Sequence, residues 1–271
     1  MRLGVRAHDF GKLPVEELAG RIAGKGFTCV QLAPPKAIAG FDADLGRISP
    51  GFAGHVKEAF QRQQLQIAVL GCYINLADPD AGQRQQQLDR FKEYLRLARD
   101  FGCSVVGTET GSINPDYSFH SGNRGEEAFQ TVLSGVRELV AEAERFGVFV
   151  GIEGVERYVI SDPPRIRRLI DGIGSNNLQI IFDPVNLLSV ENYRRQDRDS
   201  ACQGFHRGRQ EPPVGARRPG GAQLRIADGS HQGPEARHQH PHGGHSTRDG
   251  GDWRALPARF LPGLSGAPAG A

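Results

Sequence analysis

The sequence predicts an α/β chain of the (β/α)8 TIM-barrel type, with only the first six βα units intact. Three observations carry this. Short apolar runs alternate with helix-like segments and repeat about every thirty residues, the pattern of a parallel sheet covered by helices. Polar residues recur at the C-terminal ends of these runs: His8-Asp9, Gln31, Asn75, Glu109, Glu153, and Asp183 with Asn186. A barrel builds its site from such strand ends. The turn after the first run, His8-Asp9-Phe10-Gly11-Lys12, lacks the G-x-G-x-x-G loop that a doubly wound open sheet usually carries.

Each element has its own signal. Residues 2–9 alternate and read as a first strand ending in His8-Asp9. Residues 14–26 space Val15, Leu18 and Ile22 as a helix does and stop at Gly26, a glycine C-cap. Residues 28–33 form the second strand, and a loop follows. Ser49-Pro50 starts a helix with Pro at its first position, running to about Gln64. Residues 66–73 are the third strand and lead into Ile74-Asn75-Leu76. Residues 82–102 are a long helix with Leu88, Phe91, Leu95, Ala98 and Phe101 on one side. Residues 104–107 are the fourth strand, closing on Thr108-Glu109-Thr110-Gly111. After a polar loop, residues 126–147 give another long helix with a stripe through Val132, Val136, Leu139, Val140, Ala143 and Phe146. The fifth strand ends in Glu153. Ser161-Asp162-Pro163-Pro164 opens the fifth helix, and the sixth strand ends in Asp183.

Two parallel strands joined by a helix place Glu153 and Asp183 on one rim of the sheet, an arrangement that can hold a divalent metal. The bland alternative makes both of them strand-end carboxylates that cap the helices after them.

Composition narrows the setting. A formal net charge of +2 gives no reason to expect nucleic acid or an acidic membrane surface as a partner. The four cysteines are widely spaced and form no paired metal motif, so buried thiols in a reducing compartment are expected. No run approaches the roughly twenty apolar residues of a membrane span. The N-terminus enters a strand pattern directly, without a signal peptide, so the expectation is cytoplasmic.

The chain is expected to divide at residue 197. No lysine follows Lys92, most histidines follow residue 200, and the last cluster of Ile, Val and Leu ends at Val190. Residues 198–271 are rich in Gly, Pro, Arg, Ala and His, a composition that argues against a packed core. A G- and C-rich gene read in a shifted frame yields these residues, so the tail is expected to be non-native or disordered. Its run His238-Gln-His-Pro-His242-Gly-Gly-His245 resembles a metal-binding tract by composition alone.

Five motifs, in order, resemble a known family: Arg6-Ala7-His8-Asp9-Phe10, Cys72-Tyr73-Ile74-Asn75-Leu76, Gly107-Thr108-Glu109-Thr110-Gly111, Gly151-Ile152-Glu153-Gly154-Val155 and Phe182-Asp183-Pro184-Val185-Asn186. They are similar to the sugar phosphate isomerase/epimerase family of xylose isomerase-like TIM barrels, related to ketose 3-epimerases and more remotely to endonuclease IV. The resemblance spans residues 1–197. It implies a divalent metal, Mn²⁺ or Mg²⁺ first, with Zn²⁺ or Co²⁺ as alternatives. It also implies four ligands: Glu and Asp from strands five and six, His and Glu from strands seven and eight. The first two map onto Glu153 and Asp183. The others belong near residues 210 and 245, where no apolar run precedes a ligand.

The resemblance further implies metal-assisted proton transfer beside a carbonyl of a sugar or sugar phosphate, with Glu153 as one of two bases. Glu109 is then a partner for a substrate hydroxyl or an ordinary rim carboxylate. His8 and Asn75 bind sugar or phosphate oxygens or make structural hydrogen bonds. Asn186 points inward or serves the turn. Arg157 and Tyr158 follow the Glu153 strand and can meet an anionic group, while Lys36 has no spacing argument. Missing ligands imply little activity, and an unclosed sheet leaves edges that invite a homo-oligomer. A non-catalytic sugar-binding protein is the alternative. A phosphodiesterase of the endonuclease IV kind needs more strand-end histidines than His8, His55 and His120 supply.

Overall fold

The computed structural model describes residues 2–188. The proposed division at residue 197, the expected ligands near 210 and 245 and the histidine tract lie outside the described residues.

Six strands are present: β1 (Gly4–Arg6), β2 (Cys29–Leu32), β3 (Gln66–Gly71), β4 (Val105–Glu109), β5 (Phe149–Glu153) and β6 (Leu178–Ile181). Between them run α1 (Val15–Ala23), α2 (Pro34–Ala37), α3 (Pro50–Arg62), α4 (Ala81–Leu97), α5 (Glu126–Phe146) and α6 (Pro163–Ile173). The sheet order is β1-β2-β3-β4-β5-β6, and every neighbouring pair is parallel. A singly wound order of this kind is that of the barrel; a doubly wound sheet reverses its order partway.

The helices form where their apolar stripes and caps fall. In α5, Val132, Val136, Leu139, Val140 and Ala143 are buried against the sheet, and Gly147 ends the helix at φ 61°. In and just after α4, Leu88, Phe91, Leu95, Ala98 and Phe101 face the same core. Each fully buried side chain of the Phe or Leu kind contributes about 1.5–3 kcal/mol. Ser49, Asp80 and Asp162 accept from Phe52, Gln83 and Arg165 backbone N–H groups, so three helix starts are capped by side chains.

Three local features depart from the sequence expectation. The first strand is short: Ala7–Phe10 form a 3-10 turn, closed by Gly11 N donating to His8 O and by the Arg6–Asp9 ion pair at 3.2 Å. His8 and Asp9 therefore stand on a turn. The expected loop after β2 contains α2, nucleated by two prolines whose fixed φ suits a first helical turn. Strand β4 runs on to Glu109, because it pairs with β5 residue for residue through Glu109↔Glu153.

Two glycines shape the interior. A Cβ on Gly107 would lie 2.7 Å from Ile181 Cδ1 and 2.8 Å from Val69 Cγ1, and one on Gly151 would lie 3.1 Å from Ile181 Cδ1. Their bare backbones let the Ile181 side chain cross under β5 and β4, where it floors the C-terminal mouth of the sheet. Cys29, Cys72 and Cys103 are free and buried, and among the described residues no helix is long and apolar enough to cross a membrane.

Candidate active site

Side chains two apart on a strand face the same side of the sheet. Register puts Glu109 beside Glu153 and Glu153 beside Ile181, and Asp183 follows Ile181 by two. Glu109, Glu153 and Asp183 accordingly line one cavity of about 100 Å³ at the C-terminal ends of the strands. Arg6, His8, Gln31, Lys36 and Tyr73 close it from the β1–β3 side, with Ile181 below and Asn186 beside Asp183. A larger hollow of about 310 Å³ lies at the opposite end of the strands, around Arg2, Lys57 and Gln64, and gathers no carboxylate.

Asn186 joins the two principal carboxylates. Its Nδ2 donates to Glu153 Oε1 at 2.6 Å and lies 3.4 Å from Asp183 Oδ2. Asp183 Oδ1 accepts from the backbone N–H of Val185 at 2.9 Å and of Asn186 at 3.3 Å, which shapes the turn after β6. The turn thus aims one oxygen of Asp183 at its own backbone and leaves the other beside the Asn186 amide that Glu153 shares.

Burial sets the protonation of the cavity. Glu153 is 8% exposed, and loss of solvent pushes its carboxyl up to about 7. The Asn186 amide opposes that rise, the charges of Glu109 and Asp183 add to it, and Arg6 opposes it. Glu109 is also raised, mainly by burial, with Lys36, Arg157 and the Tyr158 hydroxyl pulling the other way. Tyr158 accepts from Arg157 Nη2 at 3.1 Å, so arginine, phenol and Glu109 form a chain. Burial lowers His8, which favours neutral imidazole; Asp9 opposes the shift, and Lys36 and Arg6 reinforce it. The His8 Nδ1 is buried with no partner among the described residues.

Of the residues singled out from sequence, Glu153, Asp183, Asn186, Glu109 and His8 converge on this cavity. Asn75 does not line it. It is 1% exposed, its Nδ2 donates to Ser112 O at 2.8 Å, and its Oδ1 accepts from Ala77 N at 3.1 Å. Both ends of that amide brace the turn after β3. Arg6, Gln31, Lys36 and Tyr73 line the cavity without having been singled out as site residues; strand-end position signals Gln31, and alternation past Gly71 signals Tyr73.

Two carboxylate donors in a buried cavity suit a hard divalent cation by type. Two crowded carboxylates, one of them holding its proton up to about 7, are relieved by positive charge between them. Among the described residues, no group of three or more His, Cys, Asp or Glu side chains is placed to hold a metal.

Comparison with known proteins agrees with this fold. A family model described as xylose isomerase-like TIM barrel matches residues 19–247. A 3-keto-D-glucoside 4-epimerase from E. coli aligns with a TM-score of 0.56 at 19% identity, over 77% of this chain and 75% of that one. A D-psicose 3-epimerase solved in the presence of D-fructose aligns at 0.54 and 17% identity, over 67% of this chain and 63% of that one, so the chain spans less than two thirds of that enzyme. A xylose isomerase-like TIM barrel protein from Mycobacterium smegmatis, in complex with magnesium, aligns at 0.54 and 16% identity over 69% and 65% of the two chains. No curated protein matches the chain by sequence.

Proposed function

The chain belongs to the xylose isomerase-like TIM barrel family, and from that premise we propose a metal-dependent isomerase or epimerase. It acts on a sugar or sugar phosphate by moving a proton beside a carbonyl. The observation that supports this most is the meeting of Glu153 and Asp183 at one amide, Asn186 Nδ2, at 2.6 and 3.4 Å.

Carboxylate oxygens suit Mn²⁺ or Mg²⁺, with Zn²⁺ and Co²⁺ as alternatives. A bound divalent cation polarises a ketose carbonyl and acidifies the neighbouring C–H. Glu153 and Asp183 hold it, and Glu153 takes the carbon-bound proton on its side of the sugar. A carboxyl that titrates near 7 is part-ionised at neutral pH, so its ionised form takes a proton and its protonated form gives one back. Glu109, backed by Tyr158, holds a substrate hydroxyl, and His8 offers a sugar oxygen its buried Nδ1.

We further propose that activity is impaired, because in the sequence no apolar run precedes a ligand near residues 210 and 245. The division between residues 1–197 and 198–271 remains part of this proposal; the family match crosses it. The cytoplasmic setting, the homo-oligomer and the absence of nucleic-acid and membrane partners rest on sequence alone.

A second reading, a non-catalytic sugar-binding protein on the same scaffold, is favoured by the two-carboxylate site of the described residues. Titration with Mn²⁺, followed by solvent deuterium exchange into ketoses, separates the readings. Metal binding with exchange supports the enzyme. Sugar binding without metal or exchange supports the binder, and neither activity would sink both.

A further inference from the structure

Across the cavity from the carboxylates, Gln31, Tyr73 and Lys36 have no part in the chemistry above. Gln31 is 5% exposed, and its Nε2 donates to Tyr73 Oη at 2.8 Å. Lys36, on α2, sets its ammonium 4.1 Å from the centre of the Tyr73 ring. The ring lies against the bare backbone of Gly71, where a Cβ would sit 3.4 Å from Tyr73 Cε2. The ring thus packs beside the end of β3, and its hydroxyl meets Gln31 at the cavity wall.

A phenol oxygen that accepts an N–H still has its own proton to donate. Among the described residues no acceptor takes the Tyr73 proton, and no carboxylate forms an ion pair with Lys36. The open donor and the nearby ammonium face a cavity whose opposite wall is anionic.

We propose that Gln31, Tyr73 and Lys36 form a donor station that holds a substrate oxygen opposite Glu153 and Asp183. The Tyr73 hydroxyl donates to that oxygen, Gln31 sets the direction of the hydroxyl, and Lys36 supplies positive charge beside it. The ligand class is a polyhydroxylated carbonyl compound. Its bound oxygen is the one on which negative charge grows as the adjacent carbon loses its proton. This assignment rests on the isomerase/epimerase reading and adds a contact on the side of the cavity away from the metal carboxylates.

The test is calorimetric titration of the full-length chain with Mn²⁺ and then D-fructose, for the wild type, Tyr73→Phe and Gln31→Glu. The glutamate substitution gives the phenol an acceptor where it had a donor, and so turns its proton away from the ligand. Both variants should keep the wild-type Mn²⁺ affinity and lose about tenfold in D-fructose affinity, the effect of one hydrogen bond. Unchanged sugar affinity in Tyr73→Phe overturns the station and leaves the isomerase reading intact, and it does so even if Gln31→Glu does not fold. Loss of Mn²⁺ affinity in Tyr73→Phe also overturns it, by placing the phenol in the metal site. A wild-type chain that binds no D-fructose overturns the station, and one that binds no Mn²⁺ either overturns the reading beneath it.

Discussion

Asn186 Nδ2 donates to Glu153 Oε1 across 2.6 Å and so ties the end of β5 to the turn after β6. The backbone repeats the tie, with Glu156 N donating to Asn186 O at 2.7 Å. Removing the amide leaves a buried carboxylate without its donor. Asn186→Leu should therefore destabilise the metal-free chain by about 1–3 kcal/mol at pH 8, where Glu153 is charged. At pH 5, where Glu153 is protonated, the loss should be smaller. Urea unfolding at the two pH values checks this, and equal losses would show that the bond does not depend on charge.

Glu153 also gives stability a pH dependence of known sign. Its folded-state carboxyl is raised, chiefly by burial, from 4.5 to about 7. The native chain then binds more protons than the unfolded one between those values, so stability falls as pH rises through that window. The full difference is about 3 kcal/mol. Glu153→Gln should remove the slope and leave the variant more stable than wild type at pH 8, with chelator present. A wild-type curve that rises from pH 4.5 to 7.5 and matches the variant would contradict this.

Gly107 tests the floor of the cavity. Its missing Cβ leaves room for Ile181 Cδ1 and Val69 Cγ1. Gly107→Ala should cost about 1–3 kcal/mol by overpacking, and Ile181→Ala in the same chain should recover part of that cost. Denaturation midpoints of the two single variants and the double variant give the coupling. Simple additivity would mean that Ile181 does not cross the sheet as described.

The scaffold was legible because helix stripes such as Val132–Val136–Leu139 and caps such as Ser49-Pro50 are local signals. Glu153 and Asp183 were legible because each ends an apolar run. Of the donor side, only Gln31 was, as a polar residue at a strand end. Lys36 enters the cavity from α2, a four-residue helix that no apolar stripe announces. Tyr73 reaches the cavity through its hydrogen bond with Gln31, a contact between two strand ends that lie 42 residues apart in the chain. Asn75 looked like a rim residue from its place in the chain, yet the turn after β3 uses both ends of its amide. Such outcomes depend on non-local packing, which strand periodicity does not encode.

The central claim is that Glu153 and Asp183 bind one cation together, and a Mn²⁺ titration tests it most directly. The full-length chain, Glu153→Gln and Asp183→Asn are titrated at pH 7.5 while bound metal and released protons are both followed. The wild type should bind one Mn²⁺ per chain and release part of a proton, because metal displaces the proton that Glu153 partly retains. Each variant should bind at least tenfold more weakly, in line with the loss of a metal ligand. Equal affinity in all three chains would place the metal elsewhere and contradict the account.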